Sequence, residues 1–160
     1  MSVDQFSVEA RQFCSWATGD DESEMSAQIA LRRIVSLYSA ALTYLSLPTL
    51  TENEALGTSQ RHRGSIQNVM KRATALPFAN YWEIFNPLAI DPGEPVVGSL
   101  PDDLSDIYID IFRGLALYDA GEIHAAQWEW KFHFDIYWGE HATSAIRALH
   151  SYLATEEQDG

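Results

Sequence analysis

Four aspartates fall within nine residues of the chain, in the sequence DDLSDIYID at positions 102–110. Asp103, Asp106 and Asp110 step by three and four residues, so in a helix they share one stripe beside the apolar side chains of the same segment. Carboxylates on one face can bind a cation, exchange protons or take part in a hydrogen-bonded network. The chemistry of this segment therefore depends on which side chains face it.

A second segment with titratable residues follows at positions 121–138, GEIHAAQWEWKFHFDIYW. If the two segments form an antiparallel helical hairpin, Asp110 comes level with Glu129, and Asp106 comes level with His133. Glu129 and His133 are four residues apart and therefore share a helical face. The sequence predicts a candidate polar cluster that consists of Asp106, Asp110, Glu129 and His133.

Several interpretations suit this cluster, and the spacing leaves them open. Carboxylates and an imidazole on facing helices can hold Mg²⁺ or Mn²⁺, or iron if His124 or His141 joins them. A bound metal would activate water in a metal-dependent hydrolase. Asp106 and His133 could instead act as an orienting group and a base. We favour a structural hydrogen-bonded network without a cofactor, with a solvated stripe as the other non-catalytic interpretation.

Helical periodicity dominates the chain and predicts an all-α fold. We expect a bundle of five or six helices in a single domain over residues 1–160. The predicted helices span residues 3–17, 21–45, 59–75, 99–118, 121–138 and 140–153, with a short aromatic helix at 77–87.

Local signals set the predicted ends of these helices. Asp21 and Glu24 resemble a capping box at the start of the second helix. Prolines and glycines make residues 86–101 one long loop, in which VVGSL at 96–100 is too short to predict a strand. The polar tail at 155–160 is predicted to be disordered.

The net charge of −13 over 160 residues limits the partners of this chain. It argues against nucleic acid and against anionic membrane surfaces, since both are bound by clustered lysine and arginine. It permits a basic protein partner, as for an acidic inhibitor or immunity-type protein. No apolar run reaches the ~20 residues of a membrane span. With one cysteine, Cys14, and no secretory signal, we expect a cytoplasmic protein.

Aromatic residues point to nearly every side of the predicted fifth helix, including Trp128, Trp130, Phe134 and Trp138. A helix that is apolar all round is buried in the core or covered by another subunit. The chain has no phosphate-binding glycine loop, no nucleophile elbow and no zinc-protease motif. We therefore favour a non-enzymatic protein-interaction module, with self-association as a homodimer among its expected contacts.

A further pattern lies in the C-terminal third. It comprises Asp103-Leu104, Asp106-Ile107-Tyr108, Asp110, Gly114-Leu115, Trp128-Glu129-Trp130, Phe134, Trp138-Gly139, His141-Ala142 and Ala148-Leu149-His150. Over residues 100–150 this pattern resembles a bacterial family known as domain of unknown function 5063. The family pattern has a histidine where this chain has Tyr137. The resemblance implies a small, helical, cytoplasmic bacterial protein, and it implies neither an activity nor functional residues.

Overall fold

The computed structural model describes residues 2–48, 63–90 and 93–160, and it is predominantly helical. The all-α prediction is confirmed, apart from one small sheet. The elements are α1 (Ser2–Thr18), α2 (Ala27–Tyr44), α3 (Arg63–Ala73), β1 (Asn80–Glu83), β2 (Val96–Ser99), α4 (Leu100–Asp119), α5 (Ile123–His133), a π-turn (Phe134–Trp138) and α6 (Gly139–Asp159). None of the helices in these ranges has the length and apolarity of a membrane span.

α2 and α4 each start after a serine whose side chain satisfies a free backbone N–H group. The Ser99 hydroxyl accepts from the backbone N–H of Asp102 at the start of α4, which begins within one residue of the predicted start at 99. The prediction for α2 is wrong by several residues, because Ser26 caps it and Asp21 instead accepts from the N–H of Ser23. The predicted start of the third helix at residue 59 lies outside the described residues.

Residues 77–101 differ most from the prediction. The predicted aromatic helix and the predicted continuous loop are both wrong here, because β1 and β2 form an antiparallel pair in which Tyr81 lies opposite Gly98 and Trp82 opposite Val97. Aromatic and β-branched residues fit such a pleated surface. A Cβ at Gly98 would lie 2.6 Å from the Tyr81 ring, so the glycine makes room for this ring. We call the described residues of this segment, 80–90 and 93–99, the hairpin.

The last third of the chain is one helical run that contains a π-turn. α5 passes through the π-turn directly into α6, and Gly139 is the first residue of α6. A Cβ at Gly139 would lie 2.3 Å from the Phe134 carbonyl oxygen, so the wide turn requires a glycine here. α6 continues to Asp159, so the tail for which the sequence predicts disorder is helical over residues 155–159.

Two buried indoles hold the core together. Trp130 and Trp138 are fully buried, and the indole N–H of Trp138 donates to the Trp130 carbonyl at 3.0 Å. The Trp130 indole N–H donates to the Ile111 carbonyl of α4 at 2.9 Å. The Trp130 ring also meets Phe6 of α1 edge to face, with centroids 4.9 Å apart. Much of the aromatic excess is therefore core material, as one of the two sequence interpretations predicts.

We expect Gly114→Ala to destabilise the fold by about 1–3 kcal/mol, because overpacking a core forces side chains out of their preferred positions. A Cβ at this position would lie 2.0 Å from the Trp130 indole nitrogen. Chemical denaturation measures the loss. Gly93→Ala is the matched control, since among the described residues no atom beyond the chain neighbours lies within 4 Å of a Cβ there. Equal stability of the two variants would contradict the packing argument.

Candidate functional site

Three of the four predicted cluster residues lie together between α4 and α5. Asp110 is buried and lies close enough to His133 and Glu129 for their charges to act on it. Nδ1 of His133 is 3.1 Å from Oε1 of Glu129, although this contact lacks the direction of a hydrogen bond. The Arg113 guanidinium lies 3.7 Å from Asp110. The sequence therefore identified residues that share one environment.

Asp106 does not face His133 as the hairpin argument predicts. Its Oδ2 lies 3.4 Å from Nε2 of His141, and its side chain is 49% exposed. The predicted register is wrong by about one turn of helix, because α4 extends to Asp119 and α5 begins only at Ile123. The turn between them therefore takes more residues than a symmetric hairpin about residues 119–120 allows.

A second group of polar side chains joins the hairpin, α4 and α6. Asp103 of α4 is buried, and its Oδ1 lies 2.8 Å from Nδ1 of His141. The Tyr81 hydroxyl donates a short hydrogen bond to the other oxygen of the same carboxylate. Each nitrogen of His141 therefore faces a carboxylate, Asp103 on one side and Asp106 on the other. We call Tyr81, Asp103, Asp106 and His141 the polar clamp.

The polar clamp favours a protonated histidine. The hydrogen bond to Asp103 raises the pKa of His141, and the nearby charge of Asp106 raises it further. Burial raises the pKa of Asp103, while its bonds to His141 and Tyr81 act in the opposite direction. An imidazolium between two carboxylates can donate to both, so the clamp satisfies its own polar groups.

The electrostatic environment of Asp110 differs from that of the polar clamp. Burial raises its pKa to about 6, although the charges of His133 and Arg113 act to lower it. A carboxyl with such a pKa can exchange protons near neutral pH, which is one requirement of acid–base chemistry. Within residues 2–48, 63–90 and 93–160, no three His, Cys, Asp or Glu side chains are arranged to hold a metal ion.

The hairpin carries the surface features that sequence reasoning missed. A cleft of about 690 Å³ lies between it and α6, beside the polar clamp. Large apolar side chains are exposed along the hairpin: Trp82, Ile84, Phe85, Leu88, Ile90 and Val97. To predict that these residues are exposed, one must first predict the two strands, and alternation of apolar and polar residues over four positions is a weak signal of a strand.

We expect His141→Gln to flatten the dependence of stability on pH. The pKa of His141 is raised by folding from its ordinary value of 6.5. Its stabilising contribution is therefore complete below about pH 6.5 and is lost as pH rises through the folded-state pKa. Because the side chain is 36% exposed, the expected difference is about 0.5–1 kcal/mol.

Urea denaturation at pH 6 and pH 8.5 measures this difference between wild type and variant. His150→Gln is the control, because His150 is exposed on the same helix. A variant that loses as much stability as wild type between these two pH values would show that the clamp does not depend on the imidazolium.

We expect Asp110→Asn to stabilise the protein at pH 7.5 by on the order of 1–3 kcal/mol. The folded-state pKa of about 6 lies above the ordinary 3.8, so stability linked to this carboxyl is present below pH 3.8 and is lost as pH rises through 6. Denaturation at pH 3.5 and pH 7.5 tests the sign.

Asp119→Asn is the control with the opposite sign. Arg11 lies 2.6 Å from Asp119 and lowers the pKa of this carboxyl, so its ionised form supports folding. We expect Asp119→Asn to lower stability at pH 7.5 and to have little effect well below pH 3.8. If both variants lowered stability at pH 7.5, burial would not dominate at Asp110.

Comparisons with known proteins agree with this fold. The crystal structure of protein BF1032 from Bacteroides fragilis superposes with a TM-score of 0.74 at 17% identity, over 95% of this chain and 92% of that one. No curated protein matches the sequence significantly. A family model described as "Domain of unknown function (DUF5063)" matches residues 2–155, well beyond the segment at 100–150 that carries the resemblance. The chain therefore belongs to the DUF5063 family.

Proposed function

We propose that this protein is a non-enzymatic interaction module that binds a basic protein segment on its hairpin. The observation that carries the proposal is the concentration of exposed apolar side chains there. Trp82 is 73% exposed, and its cross-strand partner Val97 is 63% exposed. Single exposed apolar residues are common, but a group of them on one element is typical of an interaction site.

Charge supports a basic partner. The hairpin borders the acidic stripe of α4, because Tyr81 bonds to Asp103 directly. Asp102 and Asp106 lie on the same helix with exposed or half-exposed carboxylates. Together with the net charge of −13, the carboxylates of Asp102 and Asp106 would steer a segment that carries lysine or arginine towards the apolar hairpin.

The small sheet favours a partner segment that binds in an extended conformation. In the described part of the chain, β1 and β2 form a sheet of two strands and each has one neighbour. The edges of such a sheet are sites where an extended segment can add as a further strand. A basic segment with alternating apolar residues would combine backbone pairing with burial of Trp82 and Val97.

The alternatives from the sequence have less support. A homodimer through this face would bring together two chains of charge −13, which repel each other. An inhibitor or immunity-type role is a special case of the same proposal, in which the basic partner is a toxin or an enzyme. For a metal-dependent hydrolase, the four predicted ligands divide into two places, since Asp106 lies against His141 instead of His133.

We expect Trp82→Ala to weaken partner binding by at least about tenfold, because a central tryptophan that becomes buried typically contributes 2 kcal/mol or more. The partner is first captured from a lysate by cross-linking and then purified and titrated. Its affinity is expected to fall as salt concentration rises. Leu42→Ala, at a 65% exposed position of α2, is the matched control and is expected to leave the affinity unchanged.

Three results would contradict the proposal. They are an equal loss of affinity in both variants, an affinity that does not depend on salt, and a purified chain whose sedimentation shows a dimer that Trp82→Ala dissociates. The last result would assign the hairpin to self-association instead of a basic partner.

A further inference from the structure

The cleft between the hairpin and α6 has walls of different chemistry. Aromatic side chains from the hairpin region and from α6 form its apolar walls: Phe78, Tyr81, Trp82 and Tyr152. The rings of Phe78 and Tyr152 lie 5.4 Å apart. α6 contributes one face with small and hydroxyl side chains, which leaves the space of about 690 Å³ open. This volume lies in the ordinary range for sites that bind small molecules.

The same cleft contains one cation and one carboxylate. Among the described residues that line it, Arg147 is the only lysine or arginine, and Glu83 is the only acid. Among the described residues, the Arg147 guanidinium has no hydrogen bond or ion pair, whereas Arg11, Arg33 and Arg113 each lie against a carboxylate. Arg147 is therefore free to bind a group that enters the cleft.

Glu83 lines the cleft and lies next to the polar clamp. One of its carboxylate oxygens is 3.5 Å from the Tyr81 hydroxyl, which donates its hydrogen bond to Asp103. Its charge acts on both Tyr81 and Asp103. Glu83 therefore gives the lining of the cleft a negative charge, and Arg147 gives it a positive charge.

We propose that the cleft binds a free aromatic amino acid as a zwitterion, with its carboxylate on Arg147, its ammonium on Glu83 and its ring between the aromatic walls. The guanidinium presents paired N–H donors that match the two oxygens of a carboxylate. The ammonium gains from the carboxylate and from nearby aromatic faces. The proposal rests on the cleft and not on the proposed partner, although Trp82 belongs to both the cleft and the partner surface.

Titration of the purified chain by NMR tests the proposal with three probes. These are L-phenylalanine, phenylalaninamide, which lacks the carboxylate, and N-acetyl-phenylalanine, which lacks the ammonium. We expect L-phenylalanine to bind with a Kd below about 1 mM, and each blocked probe to bind at least about tenfold more weakly.

Two variants assign each charge to its residue. Arg147→Gln is expected to weaken L-phenylalanine binding about tenfold and to remove the difference between L-phenylalanine and its amide. Glu83→Gln is expected to remove the difference between L-phenylalanine and its N-acetyl form. Arg32→Gln is the matched control, since Arg32 is exposed on α2, outside the cleft, and its loss is expected to change nothing.

Several outcomes would overturn the proposal. One is that wild type binds all three probes equally. A second is that L-phenylalanine does not bind at a concentration 20-fold above about 1 mM. A third is that Arg32→Gln and Arg147→Gln have the same effect on binding. Circular dichroism shows whether each variant retains its helices. If both Arg147→Gln and Glu83→Gln still bound L-phenylalanine more tightly than the blocked probes, the ligand would likewise bind elsewhere.

Discussion

The buried carboxylate of Asp103 is the constraint on which the arrangement of the hairpin, α4 and α6 depends. A buried carboxylate is costly unless it is paired and hydrogen-bonded. Asp103 meets this requirement with Tyr81 from β1 and His141 from α6, so one charge connects three elements that are far apart in sequence. Because Trp82 follows Tyr81 directly in β1, the bond that fixes Tyr81 also fixes the backbone that carries the exposed Trp82.

The π-turn explains how two histidines of one helical run both reach the acids of α4. His133 and His141 are eight residues apart, which in a regular α-helix places them about 80° apart around the axis. The π-turn accommodates one extra residue. The rotation from His133 to His141 is therefore about that of seven α-helical residues, which brings the two side chains to nearly the same side of the helix. His133 then lies near Asp110, while His141 lies between Asp103 and Asp106.

The sequence predicted the helical framework because apolar residues at spacings of three and four carry that signal over many turns. It also predicted that Asp110, Glu129 and His133 share one region. It did not predict the polar clamp, because the length of the turn before α5 sets the register and the π-turn sets the direction of His141. The hairpin was missed because its strands have only four residues each and lie among prolines.

The polar clamp contains partners for its own polar groups, whereas the hairpin and the cleft carry groups that are available to bind a ligand. In the clamp, both ring nitrogens of His141 already face carboxylates, so its polar groups need no further ligand. Beyond the clamp, the apolar side chains of the hairpin and the guanidinium of Arg147 have no comparable partners among the described residues. A carboxylate network that fixes the hairpin therefore also preorganises the surfaces beside it, which reduces the entropy that a ligand must overcome on binding.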